Sequence, residues 1–242
     1  KIREVLSAAD LNGLARGTPI PRAALRQGQR WSSVTRSPRD EFPRRIALGD
    51  IFRVHRGQVT GNNAVWVAGE HAAGLPDPVM FSTVTRARDL ISAGGRLVSA
   101  DRLRKVIDLP PDLGTFGKRD RRRILEFLRW ARAQGADASY IARHRRPWWS
   151  VGLRTPAPIL CTYMARRPPQ FTLNLCGARH INIAHGLYPM VPLAPETLAA
   201  LVDWLNRHVH VADGRTYAGG LTKFEPGEVE RIRIPRLEDL PR

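Results

Sequence analysis

The stretch "RVHRGQVTGNNAVWV", residues 53–67, sets two apolar arms around a long polar loop. An ordinary β-hairpin needs two to five turn residues. Here the connection runs from Arg56 to Asn63 and holds two glycines, an arginine, a threonine and two asparagines. The pattern predicts strand, loop, strand. The loop is either a wide turn that only shapes the fold or a surface that presents backbone amides and side chains to a partner.

Outward from this stretch, the chain predicts an α+β fold that is rich in strands and has two main amphipathic helices. Residues 118–135, "KRDRRRILEFLRWARAQG", predict the first helix, with a stop at the final glycine. Its apolar residues recur at helical spacing and predict a buried face: Ile124, Phe127, Leu128 and Ala131. The second helix starts near Pro195, and its apolar face has the same spacing: Leu198, Leu201, Val202 and Leu205.

Composition divides the chain into two parts. Residues 1–47 are rich in Arg, Pro, Ser and Gly, which predicts a linker or arm, and residues 48–242 predict the folded domain. The chain opens on Lys1, as expected of a piece of a longer protein. The two cysteines, Cys161 and Cys176, lie in apolar runs and predict buried free thiols. With no C-x-x-C spacing, the sequence favours a reducing cytoplasm and no structural zinc site.

Net charge is the strongest functional signal in the sequence. Thirty-nine Lys and Arg residues stand against 22 Asp and Glu residues, which gives a net charge of +17. Residues 118–167 hold thirteen basic residues and three acidic ones, a net charge of +10 in about a fifth of the chain. Such clustering favours a nucleic-acid-binding face over scattered solubilising charge.

Sequence signatures of catalysis are absent. There is no Walker loop, no G-x-G-x-x-G after a strand, no H-E-x-x-H and no G-x-S-x-G elbow, and the acidic residues are scattered. We therefore assign no catalytic residue and no metal site. No apolar run approaches the ~20 residues of a membrane span, so we expect no membrane partner. The chain reads as a binding module.

The string "HRRPWWSV", residues 144–151, mixes cationic side chains with two indoles. Arginine beside aromatic rings suits phosphate contact and base stacking. The structural alternative is that Trp148 and Trp149 alternate across a strand, with one indole in the core and the other half covered. We take Trp148 as the candidate that contacts a ligand.

Five motifs stand in order between about residues 46 and 236. They are "RVHRGQVTGNNAVWV"; "ILEFLRWARAQG" followed by "RRPWWSV"; "PILCTYMARRPPQFTLN" with "HINIAHGLYPM"; "LAALVDWLN"; and "YAGGLTKFEPGEVERIRIP". This order resembles the region that follows the catalytic domain in gamma-class adenine-specific DNA methyltransferases, including fused type II restriction-modification enzymes. The resemblance implies a C-terminal DNA target-recognition domain.

The chain departs from this family at the catalytic motif. The resemblance implies S-adenosylmethionine as cofactor and an Asn/Asp-Pro-Pro-Tyr/Phe motif that holds the flipped adenine. The nearest string here is "LPPD" at 109–112, whose flanks differ. We expect no cofactor in this chain, and a catalytic domain, in cis or in trans, that binds S-adenosylmethionine and joins through residues 1–47. The resemblance implies a cytoplasmic, DNA-associated prokaryotic protein that selects the target sequence and does not itself transfer methyl groups.

The loop and the basic segment supply the candidate DNA-binding residues. Glycines allow close backbone approach, and the polar loop side chains offer donors to phosphates or base edges. The arginines of the basic segment are expected to contact phosphates, with one or two reading guanine. The candidates are Arg56, Gly57, Thr60, Gly61, Asn62, Asn63, Arg119, Arg122, Arg123, Arg143, Arg145, Arg146, Trp148 and Lys223.

Two other functions stay open on sequence alone. A stand-alone basic nucleic-acid-binding protein would bind without sequence preference or would favour single strands. A nuclease with an unrecognised site would cleave DNA by itself with a metal ion.

Overall fold

The computed structural model describes residues 45–217 and 221–241, and the fold is α+β and rich in strands, as predicted. The strands are β1 (Arg45–Ala47), β2 (Phe52–Arg56), β3 (Met80–Val84), β4 (Arg96–Leu97), β5 (Arg104–Ile107), β6 (Ile159–Thr162), β7 (Met164–Ala165), β8 (Phe171–Asn174), β9 (Arg179–His180), β10 (Ala184–Pro189), β11 (Arg215–Thr216), β12 (Thr222–Lys223) and β13 (Arg233–Pro235). The helices are α1 (Asn63–Trp66), α2 (Ala87–Ala93), α3 (Lys118–Ala133), α4 (Tyr140–Arg143), α5 (Pro195–His208) and α6 (Pro226–Glu230).

A five-stranded sheet in the order β2-β10-β6-β8-β4 forms the centre of the fold. Its first four strands run antiparallel to their neighbours, and β4 joins β8 in parallel. Every residue of β6 is buried, which fits a central strand that is covered on both faces. Helix α2 packs on β6, and helix α5 packs on β8.

Three smaller sheets surround this centre. They are β1-β13, β11-β12-β7 and β5-β3-β9. Strand β1 pairs antiparallel with β13, so residues 45–47, which the sequence assigned to the arm, belong to a sheet of the domain. The remainder of the predicted arm, residues 1–44, lies outside the described residues.

Two hydrophobic clusters hold these layers. The larger one gathers around α3 and includes Val65, Trp66, Val106, Ile124 and Phe127. The smaller one lies between α2 and the central sheet and includes Leu90 and Leu160. Within the described ranges, no helix is both long enough and apolar enough to cross a membrane.

Both predicted amphipathic helices are confirmed. The whole predicted apolar face of α3 is buried: Ile124, Phe127, Leu128 and Ala131. In α5, Leu201, Val202 and Leu205 are buried as expected, while Leu198 is half-buried in the first turns. Cys161 is buried, and burial raises the pKa of its thiol to about 12. The prediction of burial is wrong for Cys176, which is only half-buried because it lies in the turn after β8.

The second arm of the opening stretch is helical, so the predicted second strand is wrong. Asn62 caps α1, because its Oδ1 accepts the amide N–H of Ala64 at 3.1 Å. Trp66 then turns into the larger cluster, and only Val67 keeps a strand-like bridge, to Val106. A short apolar run does not by itself distinguish a strand from one buried helical turn.

The two tryptophans of "RRPWW" do not lie on a strand either. Residues 144–149 form turns and bends after α4, and Trp148 and Trp149 are both half-buried against the larger cluster. The predicted division into one inward and one outward indole is therefore wrong. Both indoles serve as packing surface for the segment that carries the arginines.

Candidate nucleic-acid interface

The polar loop leaves β2 through a tightly packed glycine. The amide of Gly57 donates to the carbonyl of Ala184 at 3.0 Å, and the carbonyl of Gln58 accepts from Asn182 at 3.0 Å. A Cβ on Gly57 would overlap the carbonyl group of Ile181 and lie 2.7 Å from Cδ2 of His180. The sequence predicted that this glycine permits a close backbone approach. In the structure, the approach is to the chain's own residues between β9 and β10.

The far end of the loop is held by its own side chains. Thr60 is 2% exposed, and its hydroxyl donates to Oδ1 of Asn63 at 2.5 Å. Asn62 is half-buried, caps α1, and its side-chain amide lies 3.5 Å from the carbonyl of Gln134. Gly61 has a φ of 86°, the left-handed region that favours glycine. These polar groups shape the loop, and Asn63 is the exposed member of the set.

Arg145 clamps the loop from the segment that follows α4. One guanidinium nitrogen donates to the carbonyl of Thr60 at 3.1 Å, and the other donates to the carbonyl of Val59. Burial lowers the pKa of the Arg145 guanidinium, yet arginine keeps its charge in proteins. The positive charge of Arg145 therefore lies in direct contact with the loop backbone at Val59 and Thr60. Arg145, a predicted DNA ligand, is in the structure a half-buried anchor of the loop.

We expect Arg145→Lys to loosen the loop without unfolding the domain. A lysine keeps the charge but cannot span two carbonyls with a planar fork. The unfolding free energy should fall by about 1–2 kcal/mol, and the amides of residues 59–63 should exchange hydrogen faster. Exchange is measured by mass spectrometry, with Arg143→Lys at an exposed position as the control. Equal exchange of the loop in wild type and Arg145→Lys would contradict the clamp.

An aromatic cluster fixes the loop relative to α3. The Trp66 ring centroid lies 5.9 Å from that of Phe127 and 6.1 Å from that of Trp148. The guanidinium of Arg132, at the end of α3, lies 5.5 Å from the Trp148 ring centroid. Trp148 is thus enclosed by protein on several sides. The loop, α3 and the "RRPWW" segment share one core and are positioned together.

The α3 arginines extend the cationic surface away from the loop. Arg119 and Arg122 are exposed and Arg123 is half-buried, and Arg122 pairs with Glu126 at 3.0 Å. With a rise of 1.5 Å per residue, Arg119 lies about 20 Å along the helix from Arg132. The structure therefore does not bring these arginines into contact with the loop. They lie on the same helix that supports it.

Arg143 and Arg146 lie two residues and one residue from the clamp residue Arg145, and both are exposed. The Arg146 side chain donates to the carbonyls of Arg143 and Arg145, at 3.0 Å each. It thereby closes the turn that presents Arg145 to the loop. Both guanidinium groups have hydrogen-bonding capacity left for a partner, because each arginine carries five donors.

The first residue of the loop connects to the closing motif of the chain. Arg56 forms an ion pair with Glu225 and lies over the ring of Tyr163, 5.3 Å from its centroid. Lys223, two residues before Glu225, lies 4.6 Å from the ring centroid of Tyr217. The loop is thus joined at its start to the segment around Lys223 and at its end to the segment around Arg145.

Sequence reasoning missed two kinds of residue here. The anchors Glu225 and Glu230 hold β2 and the loop: Glu230 accepts the amide of Val54 at 2.9 Å. The exposed pair Tyr140 and His144 lies beside the arginines with ring centroids 4.2 Å apart. Only the ring pair had a sequence signal, since Tyr and His four residues apart meet on a helix.

The "LPPD" string builds a turn and does not fit a methyltransferase motif. Asp112 accepts the amide of Gly114 at 2.7 Å, and the carbonyl of Pro110 accepts the indole N–H of Trp149 at 3.2 Å. Asp112 and the carbonyl of Pro110, which stand where the catalytic motif would lie, are thus used in hydrogen bonds within the fold. Among the described residues, no cluster of three His, Cys, Asp or Glu side chains is placed to hold a metal ion.

Comparison with solved structures supports the fold. The type IIG restriction endonuclease BpuSI contains a similar structure, with a TM-score of 0.56 at 13% sequence identity. The match covers 81% of this chain and 25% of that one. At this identity the likeness shows the fold alone.

Comparison of sequences identifies the family. The Type II methyltransferase M.XamI from Xanthomonas campestris pv. amaranthicola is 62% identical over 240 residues, 99% of this chain and 46% of that protein. The chain therefore spans less than half the length of this curated relative. The model of the family "Type II methyltransferase M.Eco57I, C-terminal domain" matches residues 40–242. The resemblance seen in the five motifs is confirmed to this extent, and the chain belongs to the family of the C-terminal domain of the Type II methyltransferase M.Eco57I.

Proposed function

We propose that the chain recognises a specific sequence in double-stranded DNA. It would be the target-recognition part of an adenine-specific, S-adenosylmethionine-dependent DNA methyltransferase in a restriction-modification system. One observation carries the proposal: Arg145, in a segment with exposed arginines, clamps the loop 57–63, which the ion pair of Arg56 with Glu225 joins at its start to the closing motif, in a chain 62% identical to part of a Type II methyltransferase. The loop would approach the DNA or the catalytic domain, and the arginines would contact phosphates.

The charge distribution supports duplex DNA as the partner. Arg119, Arg122, Arg143 and Arg146 are all exposed; the first two lie on α3, and the other two lie on α4 and in the turn after it, whose Trp148 and Trp149 pack on the same core as α3. Arg119 and Arg122 lie about 15–20 Å along α3 from Arg132, a length over which one DNA strand presents about five phosphates. A row of cations of this length fits a duplex backbone.

The methyl transfer belongs, in this proposal, to another domain. The "LPPD" turn does not fit the catalytic motif, so S-adenosylmethionine would be bound by a catalytic domain in cis or in trans. Residues 1–47 remain the predicted arm toward that domain, except that 45–47 pair with β13. The Arg56, Asn62, Asn63 and Lys223 contacts to DNA also remain predictions.

The test is selection from a pool of randomised duplexes of about 25 base pairs, followed by anisotropy in a salt series. A target-recognition domain should enrich one short motif and bind it about 1,000-fold or more tightly than random duplex. Steeply salt-dependent binding without an enriched motif would contradict sequence recognition by this chain and leave only an electrostatic clamp. Preference for single strands would instead support a stand-alone nucleic-acid-binding protein.

A further inference from the structure

Tyr140 is the most exposed of the large apolar and aromatic side chains among the described residues. It is 75% exposed, although it lies on a short helix, α4, that is capped by Ser139 and buries Ala142. Ala142 is buried, and Ser139 caps the turn by accepting the amide of Ala142 at 3.2 Å. The backbone of α4 is therefore anchored while its one aromatic ring points outward. An aromatic ring with this much open surface can serve as a stacking surface for a nucleobase.

The ring of Tyr140 is held in place by His144. The two ring centroids lie 4.2 Å apart with planes inclined by 40°. The Nδ1–H of His144 donates to the backbone carbonyl of Tyr140 at 2.7 Å, which fixes the imidazole against the phenol. A ring that is ordered before binding loses less conformational entropy when a partner stacks on it.

The surroundings of the pair are cationic. Arg143 and Arg146 are exposed beside it, and residues 138–151 contain no Asp or Glu. Ser139 also lies against Gly61, since a Cβ on that glycine would be 2.6 Å from the Ser139 hydroxyl. The helix turn that carries the pair therefore lies against the polar loop, and two exposed arginines stand next to it in sequence. An aromatic ring flanked by arginines suits a nucleobase attached to its phosphates.

The geometry also determines how a base would be held. A side chain that wedges into a duplex needs both ring faces free, because it is inserted between two base steps. Here the His144 ring occupies one side of the Tyr140 ring at a centroid distance of 4.2 Å, while the Tyr140 residue is 75% exposed. The pair can therefore accept one base on one side, which requires a base that has lost a stacking neighbour.

We propose that Tyr140 and His144 form a stacking platform for a single unstacked nucleobase in the bound DNA. The proposal rests on the proposed function, because it requires that the chain binds duplex DNA through this surface. It assigns to Tyr140 a contact with the base and to His144 the positioning of the Tyr140 ring.

The experiment compares two duplexes of the same sequence, one fully paired and one with a single bulged 2-aminopurine. The 242-residue chain is titrated with each at constant salt, and both anisotropy and 2-aminopurine fluorescence are recorded. Stacking on an aromatic ring should favour the bulged duplex by about fivefold to a hundredfold and quench its fluorescence. Tyr140→Ala should abolish both effects, and Tyr140→Phe should retain both.

The control is Val191→Ala, which trims a side chain that is 59% exposed in the loop before α5 and should change neither readout. His144→Ala should keep part of the preference, because the Tyr140 ring remains but is less ordered. If Tyr140→Ala folds, binds paired duplex and keeps the wild-type preference, the platform is wrong while the proposed function stands. If the wild type binds neither duplex, both proposals fail.

Discussion

Replacing Gly57 with alanine should lower the unfolding free energy of the domain by at least about 3 kcal/mol. The added Cβ would overlap the backbone carbonyl of Ile181 and lie 2.7 Å from the His180 ring. A backbone carbonyl cannot rotate away as the end of a flexible side chain does. Strand β2 would have to separate from the segment between β9 and β10, with loss of the Gly57–Ala184 hydrogen bond.

The displaced residues are costly to move because they are buried. His180 is 2% exposed, and burial together with the nearby His185 lowers its pKa to about 4. A shift that opened this region would expose neutral, buried imidazoles and the end of the central sheet. The clash therefore reaches beyond the loop into the core of the fold.

Urea denaturation measures this effect, with the midpoint compared at constant slope. The matched control is Gly227→Ala in α6, where the nearest atom to a new Cβ is the flexible end of Arg231 at 3.5 Å. That substitution should be neutral or stabilise by up to about 1 kcal/mol, because alanine favours the helix. If Gly57→Ala lowered the unfolding free energy by less than about 1 kcal/mol, position 57 would tolerate a side chain, and its close packing against Ile181 would not be required.

The two glycines of the loop show what the sequence could and could not predict. Sequence alone predicts that Gly57 and Gly61 allow close approach of another backbone, since glycine has no Cβ. It did not indicate which backbone comes close, because Ile181 is more than a hundred residues away. Long-range packing of this kind follows from the order of strands in the sheet, which a single sequence does not display.

The periodicity of apolar residues predicts secondary structure correctly where a long element buries one face, and it fails where the segment is short. The helix faces of α3 and α5 were predicted because their apolar residues recur over several turns. The run "AVWV" predicts a strand, but in the structure Asn62 caps a single helical turn and Trp66 packs in the aromatic core. Four apolar residues carry too little periodicity to separate these cases.

The sequence predicts which types of residue contribute to the candidate site. The structure shows that some of these residues are buried or hold the loop, while others are exposed. Arg145 and Thr60 are predicted DNA ligands; in the structure Arg145 holds the loop carbonyls and Thr60 is buried, and their contact with DNA stays a prediction. Arg143 and Arg146, two and one residues away, are exposed. Sequence composition indicates a basic surface but not which arginine of a run faces inward.

Neutralising four exposed arginines should lower duplex affinity by several hundredfold while leaving the fold intact. The variant is Arg119→Gln, Arg122→Gln, Arg143→Gln and Arg146→Gln combined. Each lost phosphate contact removes about one released counterion, which at ~0.15 M salt is worth roughly fivefold in affinity. Surface substitutions of this kind usually change the unfolding free energy by at most about 0.5 kcal/mol each.

The salt dependence separates these contacts from a general effect of charge. If all four arginines contact phosphates, the slope of log K against log salt should decrease by about 3.6, close to 0.9 per contact. The control variant changes four exposed arginines on other elements and makes the same change in net charge: Arg88→Gln, Arg102→Gln, Arg207→Gln and Arg236→Gln. Its affinity should fall only a few fold, because charges beyond a Debye length of about 8 Å are screened.

The comparison of the two variants decides between a defined binding face and diffuse attraction. An equal loss in both variants would mean that the net charge of +17 acts as a whole and that Arg119, Arg122, Arg143 and Arg146 have no privileged role. A loss confined to the first variant places the duplex across α3 and the clamped loop. Sequence choice is then expected from the residues between those two contacts, since phosphate contacts fix the register of a protein on DNA while contacts to base edges specify the sequence.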